Sequence, residues 1–424
     1  MANKISYKRR KAITTSTSSE TSVPASAKVI ASNVDLLSEI LLRLPPKSLI
    51  RFKSVSRNWL HLISDSHFAS NHSRRNRNLS ISGLFYHHSW PTNEQPNSVS
   101  LVGQSSLPTL AFIESPATIR IKSSCNGLLL CEIYRDVSQR KRVCYIVCNP
   151  TTQKFTPLLD HGGNPSPACL AFDPSQSPHY KVVLLHYIPS PQFAIYSSES
   201  KSWKRITVDA LPVTYLNGVF WNGAIHWLTD NYLVRFDVGS DEQIQIPNPI
   251  APKILSLAKT RYFGECDGHL LLIQMRLRSA MGFRILQMES DSFCWIVKCR
   301  VNLRPLISVF PDIDDTSKDY KFHVLCVVKE VNENEFGLVL ATAGKIICYN
   351  LNCKALKVLR DDFSEVDFYG LYFKKYPYNF CKVKVGFFAK VTEAVNPVKL
   401  VIAFSCVVVG IDKALWFEKN QYES

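Results

Sequence analysis

No Cys-x-x-Cys pair occurs in the 424 residues, and the thirteen cysteines are an odd number scattered through apolar runs. This excludes the usual zinc-ribbon and dithiol spacings, and it argues against a secreted disulfide framework. Cys144 and Cys148, in CYIVC, share one strand face by their even offset, but no further ligand follows at metal-binding spacing. Buried, reduced thiols in a nuclear or cytoplasmic protein are expected. No apolar run reaches the ~20 residues that a membrane helix needs, so no membrane span is expected. Acid is scarce at the start. Glu20 is the sole carboxylate before residue 31, beside Lys4, Lys8, Arg9, Arg10, Lys11 and a Ser/Thr run. Residues 1–30 read as a flexible basic tail without a signal peptide; Lys8–Lys11 suits a nuclear-localisation patch, and the Ser-rich, acid-poor start also resembles an organelle transit peptide.

Catalytic patterns are missing too. There is no Gly-x-Ser-x-Gly and no His-Glu-x-x-His, and Gly162-Gly163 lies in a Pro-rich stretch rather than between a strand and a helix. His226 and Trp227 are adjacent, and on a strand they point to opposite faces, so they cannot act on one atom. Asp312, Asp314 and Asp315 lack the glycine and distal glutamate of a calcium loop. No cofactor and no metal site is expected. The formal charge of +15 is dispersed outside the tail, and aromatics alternate with aliphatics rather than with basic residues. That pattern indicates core, not a nucleic-acid stacking platform. A hydrophobic share of 46% fits a folded chain with length for two or three domains.

What is present begins at Asn33. Leu37, Ile40, Leu41 and Leu44 recur at helical spacing, with Asn33 as the cap, Asp35 and Glu39 near the positive end and Arg43 near the negative end. Pro45 stops this helix and Pro46 starts a second one carrying Leu49, Ile50 and Phe52. Val55, Trp59, Leu62 and Ile63 define a third apolar face. Three short amphipathic helices bury too little apolar surface to offset comfortably the entropy of ordering them. They are expected to complete their core against another protein, the alternative being their own chain.

The strings Leu36-Leu37-x-Glu39-Ile40-Leu41-x-Arg43-Leu44-Pro45-Pro46-Lys47-Ser48-Leu49, Arg51-Phe52-Lys53-x-Val55-Ser56-Arg57-x-Trp59 and Leu62-Ile63-Ser64-Asp65 closely resemble the F-box of plant F-box proteins. The Leu-Pro pair that often opens an F-box is absent, and Ser54 stands where many relatives have cysteine. The resemblance implies binding to a Skp1-like acidic adaptor and, through it, to a cullin-RING ubiquitin ligase. It assigns Leu36, Ile40, Leu41, Leu44, Pro45, Pro46, Leu49, Phe52, Val55 and Trp59 to the adaptor-binding module, Trp59 mainly as its internal core. Lys47, Arg51, Lys53 and Arg57 suit an acidic partner.

From about Leu79 the pattern changes to short β-branched runs separated by turns. Asn126-Gly127, Asn217-Gly218, Asn222-Gly223 and Asp267-Gly268 are tight hairpin signals. A phrase recurs: CNGLLLCEIY with RVCYIVCNPTTQKF, FWNGAIHWL with YLVRFDVGSDEQIQI, CDGHLLLIQM with FRILQMESDSFCWIV, and FGLVLATAGKIICYNLNCKALKVL. Its second turns fall near Asn149, Ser197, Asp237, Glu289 and Asn350, about 40 to 60 residues apart, as in β-propeller blades. The tract also resembles the F-box-associated repeat region of plant F-box proteins, related to kelch-type propellers. It does so at Ser124-Cys125-Asn126-Gly127-Leu128, Asn149-Pro150-Thr151-Thr152, Phe172-Asp173-Pro174 with Tyr180-Lys181-Val182, Asn217-Gly218 and Gly223-x-x-His226-Trp227.

The fold class expected is therefore α+β multidomain: a tail over 1–30, a three-helix F-box over 31–75 and an all-β repeat domain over 80–424. Six or seven propeller blades of ~45–50 residues would fill that last length. Leu400–Gly410 reads as a buried closing strand. His161–Pro178, His186–Gln192 and Pro305–Tyr320 read as long loops that could carry recognition of an unidentified client protein. The function implied is that of a non-catalytic substrate receptor of an SCF-type ubiquitin ligase, in the nucleus, the cytoplasm or both. The alternatives are an F-box scaffold acting outside the ligase and, at greater distance, a propeller enzyme of galactose-oxidase type.

Overall fold

A computed structural model describes residues 33–76, 81–86, 96–101, 109–113, 118–137, 140–158, 167–187, 189–209, 211–212, 218–229, 232–247, 260–276, 279–311, 322–329, 336–342, 344–361 and 381–383. The basic tail, Gly162-Gly163, Asn217, the Asp312–Asp315 cluster and Leu400–Gly410 lie outside these residues.

Helix α1 (Val34–Leu41) starts where Asn33 caps it: its Oδ1 accepts the N–H groups of Asp35 and Leu36 at 3.0 and 3.1 Å. The helix ends at Leu41, so Leu44 does not continue its face as the spacing suggested. Ile40 is exposed, while Leu37 and Leu41 are buried. Helix α1 lies in a unit separate from residues 42–396.

Within that second unit, Pro45 is extended and Pro46 opens α2 (Pro46–Phe52), where its missing N–H costs nothing. Ser56 accepts Trp59 N–H at 3.2 Å and starts α3 (Arg57–Ser64). Asp65 then accepts the N–H groups of His67 and Phe68 at 2.8 and 3.1 Å, capping α4 (Ser66–Arg75). The described helices are thus four, where the apolar pattern predicts three. Helix α4 escapes that pattern because, of its largely polar residues, Phe68 is the only large apolar side chain. Phe52 meets Trp59 edge-to-face, with ring centroids 5.5 Å apart.

Five four-stranded antiparallel sheets follow in chain order. The first blade is β3 (Thr118–Cys125), β4 (Leu128–Val137), β5 (Arg140–Asn149) and β6 (Lys154–Leu158). The second is β7 (Ala168–Ala171), β8 (Lys181–His186), β9 (Gln192–Ser197) and β10 (Ser202–Thr207). The third is β11 (Val219–Trp221), β12 (Ala224–Leu228), β13 (Tyr232–Asp237) and β14 (Gln243–Pro247). The fourth is β15 (Thr260–Cys266), β16 (His269–Arg276), β17 (Ser279–Met288) and β18 (Trp295–Asn302). The fifth is β19 (Phe322–Lys329), β20 (Phe336–Thr342), β21 (Lys345–Asn350) and β22 (Leu356–Arg360). A separate three-stranded sheet pairs β1 (Gly83–Tyr86) with both β2 (Asn97–Ser100) and β23 (Cys381–Val383).

The first strands of successive blades are neighbours, β3 beside β7, β7 beside β11, β11 beside β15 and β15 beside β19. The three-stranded sheet lies between the end blades, with β23 beside β3 and β2 beside β22. Among the described residues the propeller has five four-stranded blades, not six or seven. Dividing the tract by a blade length overcounts because the described blades run only from Thr118 to Arg360, whereas the tract spans 80–424.

Local chemistry explains the repeat. The first turns of three blades place Asn126-Gly127, Asn222-Gly223 and Asp267-Gly268 at positive φ, as two-residue hairpins require. Gly218 is different: its φ is not positive, and it leads into β11 rather than forming a hairpin. Its lack of a side chain serves close approach, since a Cβ there would sit 2.4 Å from Trp227 Nε1 and 2.6 Å from Cys169 Sγ. Each third turn contains one non-glycine residue at positive φ: Gln153, Lys201, Asp241, Phe293 and Lys354, one per blade. In three of these turns a side chain bonds the backbone two and three residues on, from Asn149, Asp237 and Asn350.

The core fills the seams between blades. Phe193 of the second blade stacks on Trp227 of the third at 5.7 Å, and Trp221, Leu228 and Leu233 pack with Leu270, Leu272 and Leu286 of the fourth. Polar bonds also cross the seam between the first and second blades: Leu170 N–H donates to Ser123 Oγ at 3.2 Å and Asn126 Nδ2 to the Phe172 carbonyl at 2.8 Å. In the first blade the fully buried Glu132 is met by Lys122 at 3.7 Å and by the Tyr145 hydroxyl at 3.4 Å. Cys131 and Cys148 lie 3.9 Å apart, sulfur to sulfur, well beyond disulfide length.

Candidate protein-binding face

The residues assigned by resemblance divide by exposure. On α1, Leu36 and Ile40 stand 47% and 46% exposed, with Val34 beside them at 61%. Leu41 and Leu49 are fully buried, and Pro46 is buried. Pro45 is exposed, while Leu44, Phe52, Val55 and Trp59 are half-buried. An apolar side chain in water on a short helix is costly to leave uncovered, whereas one already buried has little surface left to offer a partner. The available apolar side chains are therefore Val34, Leu36 and Ile40 in the first unit and, separately, Pro45 and Leu60 of α3 in the second. Leu60 falls off the periodic face, which is why spacing passes over it.

The basic residues divide similarly. Arg51 and Arg57 are exposed. Lys53 is not a freely solvated cation: burial, with a smaller push from Lys154 on β6, lowers its pKa to about 8. Arg74 Nε donates to the Ser175 carbonyl at 3.1 Å, in the turn between β7 and β8. Residues 42–76 thus touch the second blade, and Lys53 lies within electrostatic reach of the first, at the end carrying the two-residue turns. That all these turns lie at one end follows from bonds between neighbouring blades, such as Trp221 Nε1 to the Gly268 carbonyl at 2.7 Å and Lys329 to Asp267 at 2.8 Å.

At the opposite strand ends lie the connections between second and third strands and between blades. Residues 187–191 join His186 to Gln192, which pair across a hairpin. Tyr187 is exposed there, its hydroxyl donating to the Pro212 carbonyl at 3.4 Å. Of the stretch Pro305–Tyr320, residues 312–320 lie outside the described residues; its start belongs to the 3-10 turn Arg304–Leu306, and Leu306 and Phe310 are buried. The stretch His161–Pro178 is not one loop, because it contains the buried strand β7.

His226 and Trp227 do face opposite ways. Trp227 joins Phe193, and His226 packs against Trp221 with ring centroids 5.4 Å apart. Neither ring nitrogen of the fully buried His226 has a well-aligned partner. Burial first, then Arg235, lowers its pKa to about 4, against a smaller opposing effect of the Ala224 and Val219 carbonyls. Among the described residues no three His, Cys, Asp or Glu side chains converge as a metal site.

Residues 33–71 match the F-box domain model and residues 100–302 the KIB1-4 β-propeller model. The chain is 34% identical over 375 residues to the F-box protein At5g07610 of Arabidopsis thaliana, covering 80% of this chain and 87% of that one. A second Arabidopsis relative, the F-box protein At5g49610, is 29% identical over 330 residues, 70% of this chain and 86% of its own length. With its four short helices and its blades in the same order as these two matches, the chain belongs to the family of plant F-box proteins, an F-box followed by a β-propeller.

Proposed function

We propose that the protein is a substrate receptor of a Skp1-cullin-F-box ubiquitin ligase, non-catalytic itself, with a repeat domain akin to kelch-type propellers. The observation that carries this is the F-box match over residues 33–71, on which Leu36, Ile40 and Pro45 are left uncovered. In this reading residues 1–30 are a tail, 31–75 the adaptor module and 80–424 the client-binding domain. The adaptor covers Leu36, Ile40, Leu44 and Pro45, while Leu41, Leu49 and Trp59 hold the module in shape. The client binds on the propeller end opposite the two-residue turns, where 187–191 and 303–311 lie. Catalysis is by proximity: the receptor raises the effective concentration of client near the ligase, and no bond is made by its own side chains.

The test is affinity capture from native tissue under proteasome inhibition, with full-length protein and a form lacking residues 33–75. A Skp1-like adaptor and a cullin captured only by the full-length form are the expected result. Adaptor without cullin would instead mean a scaffold outside the ligase, and capture of neither would overturn the assignment.

A further inference from the structure

The corner at Leu42–Pro46 is short of its own hydrogen-bond donors. Pro45 and Pro46 have no N–H, and the N–H groups of Ser48 and Leu49 bond the Pro45 carbonyl rather than those before it. Helix α4 supplies the donors by side chain. His72 Nε2 lies 2.9 Å from the Leu44 carbonyl oxygen. Asn76 Nδ2 donates to the Leu42 carbonyl at 3.2 Å and to the His72 carbonyl at 2.8 Å. A carbonyl only accepts, so the hydrogen is assigned to Nε2 of His72. The ring is fully buried and stacks on Phe68, with centroids 6.4 Å apart and planes 28° from parallel. The F-box match ends at residue 71, so both donors lie just beyond it.

We propose that His72 and Asn76 are positioning residues for adaptor binding, holding the Leu44-Pro45 corner in the shape the adaptor meets. The inference rests on the adaptor reading above. An exposed proline and a half-buried leucine can be recognised only if the backbone carrying them has one conformation, and the side chains of His72 and Asn76 hold two carbonyls just before Pro45. The corner's order is thus set by residues about thirty positions further along the chain.

Full-length protein titrated with a purified Skp1-like adaptor tests this, with urea unfolding of each variant alongside. His72→Leu fills similar volume without a donor and is expected to weaken binding about tenfold, as the loss of one well-placed hydrogen bond does. His72→Gln keeps a donor near the same place and is expected to restore most of that loss. Asn76→Asp exchanges a donor for an acceptor at a half-buried position and is expected to weaken binding several-fold while the chain stays folded. A merely structural role would make Leu and Gln alike in binding and in unfolding. Undiminished binding by His72→Leu, failure of Gln to rescue, or undiminished binding by Asn76→Asp overturns the inference. Should His72→Leu fail to fold, Asn76→Asp alone decides. No binding by the unaltered chain overturns the adaptor reading and this inference together.

Discussion

Replacing both Leu36 and Ile40 by Ala separates binding from folding more cleanly than any change at the buried positions. Each of these side chains leaves a little under half its surface in water. Covering that surface is worth roughly 2 kcal/mol per side chain at about 25 cal/mol per Å², and Ala keeps part of it. The double substitution should therefore cost about 2–3 kcal/mol of adaptor binding, or roughly fiftyfold in Kd at tenfold per 1.4 kcal/mol. The folded state should move by about 0.5 kcal/mol or less, because little packing is lost at exposed sites. Leu49→Ala is the contrast: at 0% exposure it should cost about 2–5 kcal/mol of stability through the cavity it leaves. The assay is calorimetric titration of full-length protein with a Skp1-like adaptor, paired with urea unfolding. Unchanged Kd in Leu36→Ala/Ile40→Ala, with an unchanged unfolding midpoint, would refute the assignment of this face.

Gly218→Ala should lower stability by about 1–3 kcal/mol, seen as a lower urea midpoint, because the new Cβ would overlap Trp227 and Cys169. His226 has its folded pKa depressed from 6.5 to about 4, so its contribution is complete above pH 6.5 and is lost as pH falls through 4. About 3 kcal/mol should disappear across that window, and His226→Leu should flatten that part of the stability profile. Lys53 is also depressed, from 10.5 to about 8, so keeping it charged opposes folding below pH 8. Lys53→Met should accordingly raise the urea midpoint at pH 7, with the difference closing above about pH 10; a fall at pH 7 would show that its unfavourable burial is more than offset.

Where the fold was legible, the signal was local. Asn33 and the Pro45-Pro46 step act within a few residues of themselves, and both mark element ends in the structure. The five turns near Asn149, Ser197, Asp237, Glu289 and Asn350 fall between third and fourth strands of the five blades, since Asx chemistry and positive φ are demands of the turn alone. Gly218 shows where such reading stops. Asn-Gly is a hairpin signal in general, yet this glycine answers to Trp227 and Cys169 from other strands.

The sequence by itself determined the two parts, their order, the F-box pattern and the β repeat, because caps, breakers and periodicity act over one or two turns of chain. Tertiary structure decided the blade count, since which residues connect blades depends on how strands meet. It also separated Leu36 and Ile40, which face water, from Leu41 and Leu49, which do not, although all four carry the same apolar signal. His72, Asn76 and Arg74 were legible in no pattern. They are polar residues on a polar helix, and their meaning comes from backbone carbonyls at Leu44, Leu42 and Ser175, which only folding brings within hydrogen-bond reach.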